Sequence, residues 1–250
     1  MPMNDKEATM VRGPTVSVKV FGKTGCFSRP EMKVERVSYE CPTPSAARGI
    51  LDAILWRPEM RWHILRIKIL NPVRFIPIKR NEVQSTVSYH KSKGVPGWMK
   101  DPSTFEPMLA GAGTDNATPR NTLALRDVAY VIEAEPIVFD DGDGVNTPQK
   151  YVEMFNRRVR KGQCFHRPSL GCREFAADFE MPDGSEQPVP ESYDLGRMLY
   201  DIIFDRTYKN NRPVFFDARI ENGVLETGVN SAISDETIRK EVLSCWFSRS

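Results

Sequence analysis

Between Lys150 and Arg173 the chain carries seven cations, Lys150, Arg157, Arg158, Arg160, Lys161, Arg167 and Arg173, against one acid, Glu153. Phe155, Phe165 and His166 are interleaved with them. Cations neutralise phosphates and aromatic faces stack on bases, so this stretch suits a polyanion that has bases to stack on. The same charges also fit a solvated helix face, because charged faces are common. The flanks are acidic. Glu133, Glu135, Asp140, Asp141 and Asp143 precede the block, and Glu174 to Asp194 holds seven acids and no Lys or Arg. The net charge of +2 therefore hides charge sorted into blocks. A second basic block, Arg57 to Arg80, has seven cations and one acid.

Other chemistries lack their residues. There is no Gly-rich phosphate loop followed by Lys-Ser/Thr, no Gly-x-Ser-x-Gly elbow and no His-Glu-x-x-His helix. Asp140 to Gly144 looks like half a calcium loop but lacks the Glu at the twelfth position, so it reads as a turn. The five cysteines, Cys26, Cys41, Cys164, Cys172 and Cys245, are odd in number and scattered, which favours reduced, mostly buried thiols. Cys164, Cys172 and His166 offer metal-ligand types without a fourth ligand or the usual spacing, so no metal is expected. His63 sits in an apolar stretch and reads as a buried, satisfied side chain. His90 lies in a long loop. None of the three histidines has the neighbours of a Ser-His-Asp arrangement.

The elements that position the basic block can be read from pattern. Thr147 suits a helix N-cap and Pro148 the first helical position. Val152, Phe155 and Val159 share a face, and Lys161-Gly162 reads as the helix end. Lys150 and Tyr151 then lie in the first turn. A cation there opposes the helix dipole, and a phosphate bound at that end would reverse the penalty. Upstream, Thr15 to Phe21 alternates as a half-buried strand. Thr43-Pro44 starts a helix with Ala47, Ile50, Leu51 and Ile54 inward, stopped by Pro58. Arg48 leaves that helix on the far side. Trp62 to Leu70 and Val73 to Ile78 read as strands broken by Asn71-Pro72. Asn81 to Arg120 has no period and reads as a long loop. Leu123 to Phe139 resumes as a long strand or bent pair.

The order strand, helix, strand, strand, loop, strand, helix predicts an α+β chain with a ferredoxin-like (RNA-recognition-motif-like) topology. The aromatic RNA-binding signature of that fold is absent. Beyond Arg173, strands are predicted at Glu174 to Met181, Leu195 to Arg206 and Pro213 to Ile220, with a hairpin turn at Asn222-Gly223. That half reads as all-β, with a polar tail after Gly228 ending in Cys245, Trp246 and Phe247. Two domains are expected: 1–162, ferredoxin-like and RNA-binding with the loop 81–120, and 163–250, a small antiparallel β domain with the tail. The 250 residues are 40% hydrophobic and 27% charged, ordinary for a soluble globular chain. No apolar run reaches membrane-spanning length, and the polar N-terminus lacks the apolar core of a signal peptide, so a cytoplasmic location is expected.

Longer blocks carry a family resemblance. RPEMKVERVSY at 29–39, CPTPSAARGIL at 41–51, KRNEV at 79–83, and MFNRRVRKGQCF with LGCREF within 154–175 resemble the Cas-five family of CRISPR-associated proteins, in the Dvulg subtype of type I-C systems. The resemblance implies a ferredoxin-like domain followed by a small antiparallel β domain. It also implies an endoribonuclease that cuts the CRISPR repeat transcript without a metal or other cofactor and keeps the 5′ handle of the guide RNA. Implied partners are CRISPR RNA (repeat hairpin and 5′ handle), the backbone and large subunits of the type I-C surveillance complex, and target DNA indirectly. No membrane is implied. The candidate RNA contacts are the cations in or beside those blocks: Arg29, Lys33, Arg36, Arg48, Arg80, Arg157, Arg158, Arg167 and Arg173.

The implied reaction takes the proton from a ribose 2′-OH, attacks the adjacent phosphate with that oxygen and expels the 5′-oxygen. The family pattern has a Lys-His pair at the start of the central helix and a Tyr just before the Trp that ends the first helix. Lys150 matches the Lys. Tyr151 stands at the His position and Leu55, beside Trp56, at the Tyr position. Tyrosine, with an ordinary pKa near ~10, is a poor base at neutral pH, and leucine transfers no proton. Lys150 and Tyr151 are thus the candidate catalytic pair, with Tyr39, His90 and His166 as other available groups. The alternative is a non-catalytic RNA-binding scaffold subunit of the same complex.

Overall fold

The structure, a computed structural model, describes residues 9–32, 34–91, 94–105, 107, 116–140, 144–204 and 211–247. Its strands are β1 (Thr9–Arg12), β2 (Val16–Gly25), β3 (Arg36–Val37), β4 (Met60–Ile69), β5 (Phe75–Val83), β6 (Ala117–Asp140), β7 (Asp178–Glu180), β8 (Tyr193–Ile203), β9 (Arg212–Glu221) and β10 (Val224–Glu226). The helices are α1 (Pro44–Ile54), α2 (Val95–Lys100), α3 (Pro148–Arg160), α4 (Val229–Ala232) and α5 (Glu236–Phe247). The fold is mixed α and β. One sheet runs in the order β7-β2-β6-β4-β10-β9-β8, with β1, β3 and β5 also paired to β6. Every strand pair except β3–β6 is antiparallel.

The two helices that matter for function form where the sequence predicts. In α1, Thr43 Oγ1 accepts from the Ala46 N–H at 3.2 Å, which satisfies an N–H the first turn leaves unpaired. Ala47, Ile50, Leu51 and Ile54 are buried. In α3, Thr147 caps the Lys150 N–H, Pro148 opens the first turn, and Val152, Phe155 and Val159 face inward. Gly162, with φ of 61°, takes the left-handed conformation just past the end of α3, as glycine does readily. The inward faces of both helices meet the sheet. The Phe155 ring lies 4.7 Å from the Trp62 ring of β4, and the Trp62 indole N–H donates to the Leu55 carbonyl at 2.9 Å. That one tryptophan ties the end of α1 to the middle of α3 through the core.

β6 explains the long central stretch. Its second half pairs with β2 and β4 in the main sheet, and its first half pairs with β5, from Phe75 opposite Leu125 to Val83 opposite Ala117. Asp127 sits between the halves with φ of 51°, a left-handed conformation that Asp tolerates better than most residues, and its carbonyl accepts from Asn71 Nδ2 at 2.7 Å. The loop expected over 81–120 is thus shorter than its pattern suggests. Both its ends are paired strand and α2 lies within it. The ribbon alternates only between exposed and half-buried positions, so its hydrophobic alternation is weak. Pro77 fits β5 because β5 pairs on one side only.

Three other expectations change. α4 and α5 occupy the stretch expected to be a polar tail. Asp235 Oδ1 accepts from the Thr237 and Ile238 N–H groups at the start of α5, while Val242 and Trp246 are buried. β1 was not expected at all. The turn expected at Asp140 to Gly144 lies mostly outside the described residues. The hairpin at Asn222-Gly223 forms with both φ angles positive, at 49° and 73°. Among the described residues no helix is long and apolar enough to cross a membrane.

Candidate nucleic-acid interface

α3 has two faces of different chemistry. Tyr151, Val152, Phe155 and Val159 are buried, whereas Lys150, Arg157, Arg160 and Lys161 are exposed. Steps of three, four and seven residues put those cations along one side of the helix. No carboxylate among the described residues pairs with Lys150, Arg157, Arg158, Arg160, Lys161 or Arg173. The second basic block behaves differently. Lys68 reaches Glu133 at 2.6 Å, Arg66 reaches Glu226 at 3.3 Å and Glu133 at 3.6 Å, and Arg80 reaches Glu82 at 2.8 Å. Three of the seven cations of the second block are thus paired with carboxylates, whereas the α3 cations are not.

The N-terminal end of α3 gathers three polar groups. Lys150 Nζ donates to the Val145 carbonyl at 3.1 Å and to Asn146 Oδ1 at 3.4 Å. The Tyr151 hydroxyl donates to the same Asn146 oxygen at 2.8 Å, and the Lys150 ammonium stands 5.6 Å from the Tyr151 ring centre. Tyr151 is 2% exposed, so its ring belongs to the core and only its hydroxyl meets the polar edge. Asn146 was missed by the sequence reading. Nothing in its local pattern distinguishes it from a loop residue before a helix cap.

The other end of α3 meets the end of α1. Arg158 Nη1 donates to the Ile54 carbonyl at 2.5 Å, and the Phe165 and His166 N–H groups donate to the Ala53 carbonyl at 2.9 and 3.3 Å. These bonds satisfy carbonyls that the end of α1 leaves open. They also hold the Gln163–Arg167 loop with Phe165 81% exposed and His166 beside it, ring centres 5.9 Å apart. Trp56, just past α1, is 46% exposed. Leu55 between them is fully buried, and its side chain faces the core. The two ends of α3 are about 18 Å apart along the axis. Lys150, at the opposite end, is therefore not brought into one cluster with His166 and the Leu55 position. Tyr39 is also buried. Its hydroxyl accepts from the Leu199 N–H at 3.3 Å, and burial raises its pKa, so it is unsuited to proton transfer at the surface. His63 is buried with Nδ1 2.8 Å from Glu135 and Nε2 accepting from Val229 N–H at 2.9 Å, and burial lowers its pKa.

The remaining candidate cations are placed as follows. Arg36 and Arg80 come together, both reaching Glu174 (3.0 and 3.4 Å) and Glu82 (3.7 and 2.8 Å). Arg80 also donates to Thr122 Oγ1 at 2.7 Å. Arg29 stacks 4.4 Å from the Tyr39 ring centre and pairs with Glu40 at 3.0 Å. Arg167 pairs with Asp178 at 2.9 Å in an exposed contact that holds neither side chain firmly. Arg173 is exposed. Lys33 lies outside the described residues. Arg48 turns inward and makes a two-pronged pair with Asp201, at 2.5 and 2.9 Å.

That pair lines a cavity of about 90 Å³ with Asp52, Arg61 and Trp246. The Trp246 indole N–H donates to Asp201 at 2.7 Å, which fastens α5 over α1 and β8. Burial disfavours the Asp201 charge, but Arg48 and Trp246 outweigh it and hold the carboxyl below its usual range. Among the described residues, Asp52 makes no such bonds. Burial pushes its carboxyl up to about 6, against the pull of Arg48 and Arg61.

Comparison with known proteins agrees with the blocks named above. The family described as CRISPR-associated protein (Cas_Cas5), in its Cas5d form, matches residues 15–227. A protein of Mannheimia succiniciproducens named CRISPR pre-crRNA endoribonuclease Cas5d is 43% identical over 219 residues, covering 84% of this chain and 93% of the relative. One of the same name from Thermus thermophilus is 39% identical over 227 residues, covering 84% of this chain and 90% of the relative. Among solved structures, a CRISPR-associated protein has a TM-score of 0.60 at 22% identity, covering 87% of this chain and 93% of its own, which bears on the fold. The matched region runs from just before β2 to just after β10 and so includes α1, α3 and the loop between α3 and β7; the chain belongs to the Cas5 family of CRISPR-associated proteins, in its type I-C (Dvulg) form.

Proposed function

We infer that this chain is a pre-crRNA endoribonuclease that remains bound to the 5′ handle of the guide RNA. The observation that carries the reading is the uncompensated cation row of α3, flanked by exposed Trp56 and Phe165, in a chain whose relatives bear that activity in their names. The cations would hold phosphates and the two rings would stack on unpaired bases. Lys150 is the group best placed to stabilise charge on a phosphate. It shares the α3 N-terminus, whose dipole favours an anion. Attack by the ribose 2′-OH needs no metal, and we propose that none takes part.

The fold supports the same reading. The order β7-β2-β6-β4, with α1 between β2 and β4 and α3 between β6 and β7, is the strand order of a ferredoxin-like domain. We propose a ferredoxin-like unit over 1–162, completed by β7 from the following segment, and a smaller antiparallel unit in the remainder of 163–250, built on the β8–β9 hairpin. The proposed partners are CRISPR RNA and the backbone and large subunits of a cytoplasmic type I-C surveillance complex, with target DNA met indirectly.

A second reading, a non-catalytic scaffold subunit that only binds the RNA, is favoured by buried Leu55 and Tyr151 at the family's Tyr and His positions. Binding of the repeat RNA at several salt concentrations tests the part common to both readings. Wild type should bind, and the variant with Arg157→Ala and Lys161→Ala should bind markedly less at an unchanged melting temperature. Equal affinity of the two proteins would remove α3 from the interface.

A further inference from the structure

Two cysteines far apart in sequence meet beside a guanidinium. The Cys26 N–H donates to the Leu170 carbonyl at 2.9 Å, and the Cys172 N–H donates to the Cys26 carbonyl at 3.2 Å, so the two chain segments run side by side. Gly171 between them has φ of 84°, and a Cβ there would meet the Cys26 carbonyl oxygen at 2.0 Å. Only glycine fits, and its left-handed turn brings the following residue round to the Cys26 side. As a result Ser28 Oγ lies 3.6 Å from both sulfurs. Arg36 Nη1 donates to the Cys172 sulfur at 3.2 Å. Cys26 is buried and Cys172 is partly exposed.

We propose that Cys172 and Cys26 form a peroxide-responsive thiol pair, with Cys172 the attacking sulfur and Cys26 the resolving one. The arrangement supplies what each step needs. Arg36 and Ser28 face the Cys172 sulfur and stabilise a thiolate, the reactive form. The neighbouring Cys26 thiol, with Ser28 and Arg36 adding to the effect, lowers the Cys172 pKa to about 6 against burial. The Cys172 sulfur beside it, together with burial, raises the Cys26 pKa, so Cys26 keeps its proton. In the first step the Cys172 thiolate attacks hydrogen peroxide, the O–O bond breaks, and the products are Cys172 sulfenic acid and hydroxide. In the second step the Cys26 sulfur attacks the Cys172 sulfur. The S–OH bond breaks, an S–S bond forms, and the Cys26 proton leaves with the hydroxyl as water. Backbone segments paired this closely fall within the span a disulfide bridges. A thiol reductant reverses the product.

The geometry distinguishes this pair from the other cysteines. Cys164 is exposed, with no guanidinium or second thiol bonded to it among the described residues. The full-length protein should be exposed to hydrogen peroxide, quenched, digested without reductant and analysed by mass spectrometry. A Cys26–Cys172 linked peptide, two hydrogens lighter than the separate peptides and lost after dithiothreitol, is expected as the main product. In native protein at pH 7, iodoacetamide should label Cys172 about two- to threefold faster than Cys164, since its larger thiolate fraction outweighs its lower intrinsic nucleophilicity. Arg36→Gln should remove most of that advantage. Cys26→Ser should leave Cys172 as a sulfenic acid that dimedone traps. Linked peptides distributed among all the cysteines, or wild-type Cys172 labelling no faster than Cys164, would overturn the proposal without recourse to any variant.

Discussion

At the scale of single residues, Lys150 is the proposed phosphate-stabilising group. Its ammonium rests on the Val145 carbonyl and Asn146 and is free to exchange these weak neutral acceptors for a phosphate. Lys150→Ala should lower the cleavage rate by about two to three orders of magnitude, and Lys150→Arg should retain part of it. Single-turnover cleavage of the repeat RNA checks this, and a wild-type rate for the alanine variant would remove the lysine from the mechanism. Leu55 is a different case. A sequence comparison suggests restoring the family's Tyr there, but the leucine is fully buried, so Leu55→Tyr should destabilise the protein by about 1–3 kcal/mol through overpacking. Denaturant unfolding measures this directly. Any catalytic gain from restoring the family pattern is therefore to be sought first in Tyr151→His, whose hydroxyl already reaches the polar edge.

Asp52 makes a pH-dependent prediction. Its folded pKa, about 6, stands above its ordinary value of 3.8, so the folded state prefers the neutral acid. The stability this gives is complete below the ordinary value and is lost as pH rises through about 6. Asp52→Asn keeps a neutral group at every pH. The variant should match wild type near pH 4 and exceed it above pH 7, by at most about 3 kcal/mol. Unfolding at the two pH values checks the sign. A constant difference between the proteins would mean that Asp52 is not strained in its pocket.

At the scale of elements, α3 is both a core helix and a cation row. Neutralising a single-stranded phosphate adds about −0.7 to the slope of log affinity against log salt. Replacing Arg157 and Lys161 by Ala should therefore reduce the slope by roughly 1.4. Replacing Lys68 by Ala should leave the slope nearly unchanged, because Lys68 is already paired with Glu133. Equal effects from the two sets would mean that pairing within the chain does not select which cations meet RNA. Sequence alone could locate α3, since Thr147, Pro148, the Val152-Phe155-Val159 stripe and Gly162 are all local signals. It could not separate α3 from the block at 57–80, where Arg66, Lys68 and Arg80 meet Glu133, Glu174 and Glu226 from remote segments. α5 was legible in principle. Asp235 as a cap and the spacing of Ile238, Val242 and Trp246 are helix signals, masked by the charged residues between them.

At the scale of the whole molecule, the sheet connects the cation-bearing helix α3 to everything else. β6 reaches from the main sheet into the β5 ribbon, β7 pairs with β2, and β10 pairs with β4, so α3 and the loop after it rest on strands drawn from both halves of the chain. The order of elements up to α3 was readable because each is local. The pairing of β10 with β4 and the meeting of Arg36 with Cys172 were not, because nothing in either segment announces the other. The family resemblance supplied an activity that composition could not, and it also exposed the departures at Leu55 and Tyr151 that make the activity worth measuring. The most direct measurement is incubation of the purified protein with its own repeat RNA in EDTA. The account predicts one cut at the base of the repeat hairpin, at a rate that added magnesium does not raise, with the 5′ handle retained by the protein. Repeat RNA that is bound but remains intact, with and without magnesium, would contradict it and leave the scaffold reading in its place.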